Sequence, residues 1–176
     1  MKKLEYLTRS KNNIVYNTEA SNISYDGNEY NIELKNFNYN IKSKLIINST
    51  GLWCDAVSKM VGINNYKIHM CKGEYYKTSM YRNKINSLIY PLPNSVSLGT
   101  HIVLQLDGSI AFGPNAYYVD KIDYDFDNDN KTDFVYNINK FLEIPAKSIT
   151  KDYSGIRPKL QGPGESPKDF IILNES

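Results

Sequence analysis

Apolar and polar positions alternate with the two-residue period of strands through most of this chain, and three segments keep a helical period instead. Residues 2–10 read as the end of a helix. Ile14-Val15-Tyr16 and Ile23-Ser24-Tyr25 read as short strands, and Asp26-Gly27-Asn28 is a hairpin turn leading into the clean alternation of Tyr30-Asn31-Ile32-Glu33-Leu34. Residues 45–48 form an apolar run that predicts a buried strand, followed by a helix over 52–61. Leu52, Ala56 and Met60 share one face of that helix, and Gly62 is a natural residue to end it. Beyond Gly62 the pattern is sheet-like at 75–78 and 88–90. A hairpin is predicted from 100–106 to 109–112 around Asp107-Gly108, with Thr100, Ile102, Leu104 and Leu106 on one face and His101, Val103 and Gln105 on the other. Residues 120–131 read as an acidic exposed loop and 132–142 as a helix with Phe134, Ile138 and Phe141 apolar. Two last strands, 152–160 and 169–173, bracket Gln161-Gly162-Pro163-Gly164. No internal repeat is present. The expected fold class is α+β.

Composition narrows the class. With 176 residues, 41% hydrophobic and 12% aromatic, the chain can bury a real core and is not a disordered segment. Its 15 tyrosines suit half-buried sheet surfaces. The formal net charge of +2 gives no reason to expect a nucleic-acid partner. Cys54, Cys71, His69 and His101 fit no metal-ligand spacing, and Asp123, Asp125, Asp127 and Asp129 lack the turn glycine and final glutamate of a calcium loop, so no metal site is expected. No apolar run approaches the about 20 residues that span a bilayer, so no transmembrane segment is expected. The N-terminus lacks the apolar core of a signal peptide. Two cysteines suit a reducing compartment, which points to a cytoplasmic protein, either free or peripheral at a membrane.

The segments with chemical interest follow in order. The apolar run Ile46-Ile47 enters a small-residue turn, Ser49-Thr50-Gly51, which opens the helix carrying Trp53. Such a strand–turn–helix junction can turn backbone N–H groups toward an anion, although many α/β turns share this look. After it come Lys72-Gly73-Glu74-Tyr75-Tyr76, Ile89-Tyr90-Pro91-Leu92-Pro93, Leu98-Gly99-Thr100-His101, Leu106-Asp107-Gly108-Ser109, Phe112-Gly113-Pro114-Asn115-Ala116 and Ser154-Gly155-Ile156-Arg157-Pro158-Lys159-Leu160. His101 is suited to accept a proton near neutral pH, and Arg157 is suited to clamp a carboxylate through two parallel bonds. A structural histidine and a surface arginine are the plain alternatives.

The order and spacing of these blocks resemble the D-amino-acid-oxidase-like superfamily of FAD-dependent oxidoreductases, and within it the L-2-hydroxyglutarate oxidase/dehydrogenase branch. The resemblance runs from about Asn17 to Ile172. It implies a partial FAD-binding domain at residues 1–62, an antiparallel substrate domain at 63–149, and a return to the FAD-binding domain at 150–176. It implies that Ala20, Thr50, Gly51, Trp53 and Gly155 lie against FAD, that Arg157 holds the carboxylate of a small 2-hydroxy acid, and that His101 accepts the hydroxyl proton. Tyr76 and Tyr90 are candidate cavity residues. The superfamily's G-x-G-x-x-G turn, which holds the FAD pyrophosphate, does not occur in this sequence. The chain is therefore expected to be a fragment that binds FAD weakly or not at all by itself, active only if a separate polypeptide supplies the missing half. A non-catalytic remnant, a small-ligand-binding domain, and an amino-acid or amine oxidase of the same superfamily are the alternatives.

Overall fold

In the computed structural model, which describes residues 2–92, 99–127, 130–169 and 171–172, the alternating segments near the N-terminus form a three-stranded antiparallel sheet. Helix α1 (Lys2–Arg9) precedes it. Strands β1 (Ala20–Tyr25), β2 (Tyr30–Leu34) and β3 (Asn40–Ser43) pair in that order. Asp26 closes the first hairpin by accepting the backbone N–H groups of Asn28 and Glu29, both at 2.9 Å. A single 3-10 turn (Gly51–Trp53) leads into helix α2 (Cys54–Met60). Gly62 then carries φ +86°, and its N–H bonds the Lys59 carbonyl at 3.1 Å, which ends the helix as its position suggests.

Two expectations fail in this first unit, Met1–Asn65. Ile14-Val15-Tyr16 joins no strand. Residues 45–48 are not a buried strand either: Leu45 is 72% and Ile47 80% exposed. Apolar character alone does not make a strand. Among the described residues no neighbour offers this run a ladder, and Leu45 instead bonds through its N–H and carbonyl to the Ser43 hydroxyl.

The second unit, Tyr66–Ser176, is built on one long strand, β4 (His69–Thr78). Its C-terminal half pairs with β6 (Ile110–Gly113) and its N-terminal half with β7 (Tyr117–Val119), both antiparallel. Strand β5 (His101–Leu104) pairs with β6 as the expected hairpin. Asp107 holds that turn by accepting the Ser109 N–H at 2.9 Å and hydroxyl at 2.6 Å, and these bonds keep its carboxyl below the usual range. Strand β8 (Thr150–Lys159) runs along β4's other edge, from His69↔Lys159 to Lys77↔Thr150. Residues 150–159 thus belong to the sheet of the second unit. A ten-residue strand satisfies its backbone by pairing with the longest strand available, and that strand is β4.

The core lies on one face of this sheet. Tyr76, Ile102, Ile110 and Phe112 pack under helix α3 (Asn130–Ile138), whose Phe134 and Ile138 are buried, and Ile144 and Ile149 complete the cluster. Tyr76 is thus a core residue, 1% exposed against Phe126 and Phe134, and not the cavity-lining residue expected from its block. Among the described residues of the last expected strand, Asp169, Ile171 and Ile172 are in no strand. Pro93, Leu98, Asp129 and Leu173, which belonged to the blocks and loops read above, lie outside the described residues. Among the described residues no helix is long and apolar enough to cross a membrane.

Candidate active site

The β4–β8 ladder decides which side chains meet. Its register sets His69 opposite Lys159, Cys71 opposite Arg157 and Gly73 opposite Gly155. Opposed residues in an antiparallel pair project to the same face, so the alternation carries Cys71, Gly73 and Tyr75 with Tyr153, Gly155, Arg157 and Lys159 away from the Tyr76 core. That face lines a cleft of about 460 Å³, to which His101, Pro114 and Asn115 also contribute. His101 reaches it because its neighbour Ile102 points into the core, the division of faces read from the sequence.

At the middle of the cleft the sheet carries no side chains. A Cβ on Gly155 would meet nothing within 4 Å. Gly73 is covered: a Cβ there would lie 2.8 Å from Pro114 Cβ and 3.0 Å from the Asn115 carbonyl oxygen. Tyr75 and Tyr153 stack at one end, with centroids 4.5 Å apart and planes 17° apart. Burial pushes the Tyr75 phenol up to about 12, helped by the Tyr153 hydroxyl and opposed by the charge of Arg157. Tyr75 therefore stays neutral near pH 7. On the other side His101 stacks on Tyr90, with centroids 4.4 Å apart at 21°, and its Nδ1 lies 3.1 Å from the Gly99 carbonyl. A carbonyl only accepts, so Nδ1 carries a hydrogen and Nε2 is the basic nitrogen of the neutral ring.

Beneath the floor sits a residue whose role the sequence did not expose. Glu74 lies between Gly73 and Tyr75, points to the opposite face and is 0% exposed. Its Oε1 accepts the Tyr117 hydroxyl at 3.0 Å and the Asp127 N–H at 2.8 Å. Its Oε2 accepts Nδ2 of Asn115 at 3.2 Å and of Asn130 at 2.8 Å. The Lys72 ammonium lies 4.0 Å away and donates to the Asp125 carbonyl. Asn115 also accepts the Glu74 N–H through Oδ1 at 2.7 Å, so one amide grips residue 74 at two points. That grip fixes the Pro114–Asn115 wall of the cleft. Burial, and then the bond to the same carboxylate, raises the Tyr117 phenol well above its ordinary value. A glutamate between glycine and tyrosine in a strand otherwise rich in buried positions was the available signal.

The remaining candidates lie in the first unit. Ala20 opens β1 opposite Leu34. Thr50 donates its N–H (3.3 Å) and hydroxyl (2.7 Å) to Asn48 Oδ1, while Asn48 Nδ2 donates to the Cys54 carbonyl (2.7 Å) and the Ser58 hydroxyl (3.2 Å). Asn48 thus ties the turn to α2, a role the sequence reading missed. Gly51 sits at φ +62° with open space around it, and Trp53 is 57% exposed. The cleft of the second unit therefore gathers His101, Gly155 and Arg157, and the turn of the first gathers Thr50, Gly51 and Trp53.

Residues 4–174 match the DAO family, described as FAD dependent oxidoreductase. The mitochondrial L-2-hydroxyglutarate dehydrogenase of Arabidopsis thaliana is 33% identical over 147 residues, which are 74% of this chain and 30% of that protein. The L-2-hydroxyglutarate dehydrogenase of Escherichia coli is 33% identical over 107 residues, 58% of this chain and 25% of that protein. The chain thus spans less than a third of the length of these relatives. Among solved structures, the FAD-bound L-alpha-glycerophosphate oxidase of Mycoplasma pneumoniae superposes with a TM-score of 0.70 at 21% identity, over 86% of this chain and 41% of that one. The L-proline dehydrogenase of P. horikoshii gives 0.68 at 19% identity, over 94% and 44%. Those two share the fold; the family match over nearly the whole sequence carries the assignment, and the chain belongs to the DAO family of FAD-dependent oxidoreductases.

Proposed function

We propose that this chain forms the substrate cleft, and part of the cofactor contact, of an FAD-dependent oxidoreductase that oxidises the CH–OH group of a small 2-hydroxy acid resembling L-2-hydroxyglutarate. The observation that supports it best is the meeting of Arg157 and His101 on a cleft whose floor is two opposed glycines. Arg157 offers a planar fork to the substrate carboxylate. His101 offers Nε2 to the hydroxyl proton. With the carboxylate and hydroxyl both held, the α-carbon is fixed in place, and such positioning supplies much of an enzyme's advantage. The Tyr75–Tyr153 stack forms one end of the cleft.

FAD, when bound, supplies the two-electron acceptor. The residues present fit it: Gly51 and Gly155 both leave open the volume a Cβ would take, which lets a flat or bulky group approach the backbone. Within the first unit Ala20, Thr50, Gly51 and Trp53 are the residues proposed to contact it, and within the second unit Gly155 is. Because the sequence has no G-x-G-x-x-G turn, FAD binding by this chain alone is expected to be weak.

The test is a panel of acids offered anaerobically to the complete, flavin-loaded enzyme, read as loss of flavin absorbance. L-2-hydroxyglutarate and shorter 2-hydroxy acids should bleach the flavin, and glycine and proline should not. Bleaching by amino acids alone would assign the cleft to amine oxidation instead.

A further inference from the structure

We propose that Tyr90 is a positioning residue for this cleft: its ring holds the His101 imidazole edge-on to the cleft and stabilises the positive charge that His101 takes up with the hydroxyl proton. The inference rests on the reading of His101 as the proton acceptor. When the hydroxyl O–H bond breaks, its electron pair stays on oxygen and the proton goes to Nε2, so the neutral ring becomes a cation. Arg157 in the same lining brings like charge, and no aspartate or glutamate lines the cleft among the described residues. Nδ1–H is satisfied by the Gly99 carbonyl at 3.1 Å, a neutral acceptor. What faces the plane of the imidazole is the Tyr90 ring, with centroids 4.4 Å apart and planes 21° apart. A cation over the face of an aromatic ring is attracted by the ring's quadrupole, and more strongly where water is excluded. His101 is 8% exposed, so the attraction acts in a largely desolvated place.

The chain fixes Tyr90 in this place from both sides. Ile89 bridges Ile102, whose N–H bonds the Ile89 carbonyl at 2.9 Å. Pro91 lies against Gly99: a Cβ on Gly99 would come within 2.8 Å of Pro91 Cγ. Gly99 also sits at φ +76°, a conformation that side chains disfavour. Residues 89–91 thus run beside 99–102, with Ile89 on Ile102, Tyr90 on His101 and Pro91 on Gly99. Ile102 is fully buried in the core, so the register of the stack is inherited from the core. Tyr90 itself is half exposed and is not among the residues that line the cleft, which separates its role from that of a substrate contact.

The experiment compares Tyr90→Phe, which keeps the ring face, with Tyr90→Leu, which removes it. In the full chain the NMR signals of the His101 ring protons should be shifted upfield by the stacked ring. Tyr90→Phe should keep that shift and Tyr90→Leu should lose it. In the complete, flavin-loaded enzyme offered L-2-hydroxyglutarate anaerobically, Tyr90→Leu should slow flavin bleaching at saturating acid by about threefold to tenfold, the scale of one cation–π contact. The half-saturating acid concentration should stay within about twofold of the parent value, since the ring touches no part of the acid. Tyr90→Phe should match the parent. In a His101→Ala background Tyr90→Leu should slow bleaching no further, because the ring acts through the imidazole. A parent chain without the upfield shift, or a Tyr90→Leu rate equal to the parent's, would overturn the role of Tyr90 and leave the cleft reading standing. So would a Tyr90→Phe rate as low as that of Tyr90→Leu, or a further loss in the His101→Ala background. If no 2-hydroxy acid bleaches the parent enzyme, both readings fail. The fold of each variant is checked from its amide spectrum.

Discussion

Gly73 and Gly155 face each other across the β4–β8 ladder, yet only Gly155 has room for a methyl group. The asymmetry separates two uses of glycine in one sheet. Gly73 is small so that Pro114 and Asn115 can lie on it; Gly155 is small toward open cleft. We expect Gly73→Ala to cost about 1–3 kcal/mol, the usual cost of forcing a group into filled space. Gly155→Ala should be neutral or stabilising by up to about 1 kcal/mol, because alanine loses less backbone entropy on folding. It should nonetheless weaken binding of the acids. Urea denaturation of both variants, with acid titrations on the second, checks the pair. Equal destabilisation would show that the floor is not open at Gly155.

The buried carboxylate of Glu74 makes a second case. It gathers four donors from residues 115, 117, 127 and 130, which lie 41 to 56 residues from it in sequence. Removing it leaves those donors without their acceptor, and the Lys72 ammonium without its counter-charge, in a buried site. Glu74→Ala should therefore destabilise the second unit by about 3–5 kcal/mol, as expected when one partner of a buried charge cluster is lost. Tyr117→Phe removes one neutral donor and should cost only about 0.5–1.5 kcal/mol. The double variant should cost less than the sum, since the phenol's role depends on the carboxylate. Additive effects in denaturant melts would mean that the two residues act independently.

Tyr75 gives a pH dependence with a definite sign. Its phenol is raised in the folded chain from the ordinary 10 to about 12, first by burial and then by Tyr153. The folded state thus holds the proton more tightly than the unfolded one. The associated stability is fully present below pH 10 and is lost as pH climbs toward 12. Tyr75→Phe should flatten the stability profile in that window and leave it unchanged near neutrality. Tyr117, also raised, contributes in the same direction, so the Tyr75 effect is read as a difference between variants. A profile with the same slope above pH 10 in both proteins would remove the basis for a buried Tyr75 phenol.

How much of this was legible in the sequence depends on whether local chemistry sufficed. The hairpins at Asp26-Gly27 and Asp107-Gly108 were legible because a short aspartate side chain and a glycine close each turn with groups adjacent in the chain. The opposite placement of His101 and Ile102 was legible because strand alternation is a two-residue rule. The β4–β8 pairing was not: Cys71 and Arg157 are 86 positions apart, and no local pattern specifies a partner at that distance. Apolar residues at 45–47 suggested burial, but burial depends on a neighbouring strand, which apolarity does not create. Within their block, Glu74 carries no role in the sequence reading and Tyr76 is a cavity candidate. Their opposite fates from Tyr75, inward against cleft-facing, follow from the strand's alternation once the core face is known.

The assignment of chemistry to His101 and Arg157 is tested by separating binding from turnover in the complete, flavin-loaded enzyme. Arg157 presents a guanidinium beside the glycine floor, where its charge already acts on the Tyr75 phenol. Arg157→Lys keeps that charge and loses the planar fork, so KM for 2-hydroxy acids should rise while the reaction of the bound complex persists. His101 is held by the Gly99 carbonyl and the Tyr90 ring, which leaves Nε2 as the nitrogen without a hydrogen, the atom that would accept the hydroxyl proton in the proposed reaction. His101→Ala should therefore lower turnover by about 10²–10⁴-fold, the scale of a lost general base, with a much smaller change in KM. His101→Gln keeps a hydrogen-bonding side chain of similar reach but no basic nitrogen, and should be nearly as slow. If the glutamine variant retained most of the turnover, His101 would be orienting the hydroxyl and not accepting its proton. If both the alanine and glutamine variants matched the parent protein on every 2-hydroxy acid tried, the proton would have to leave by another group.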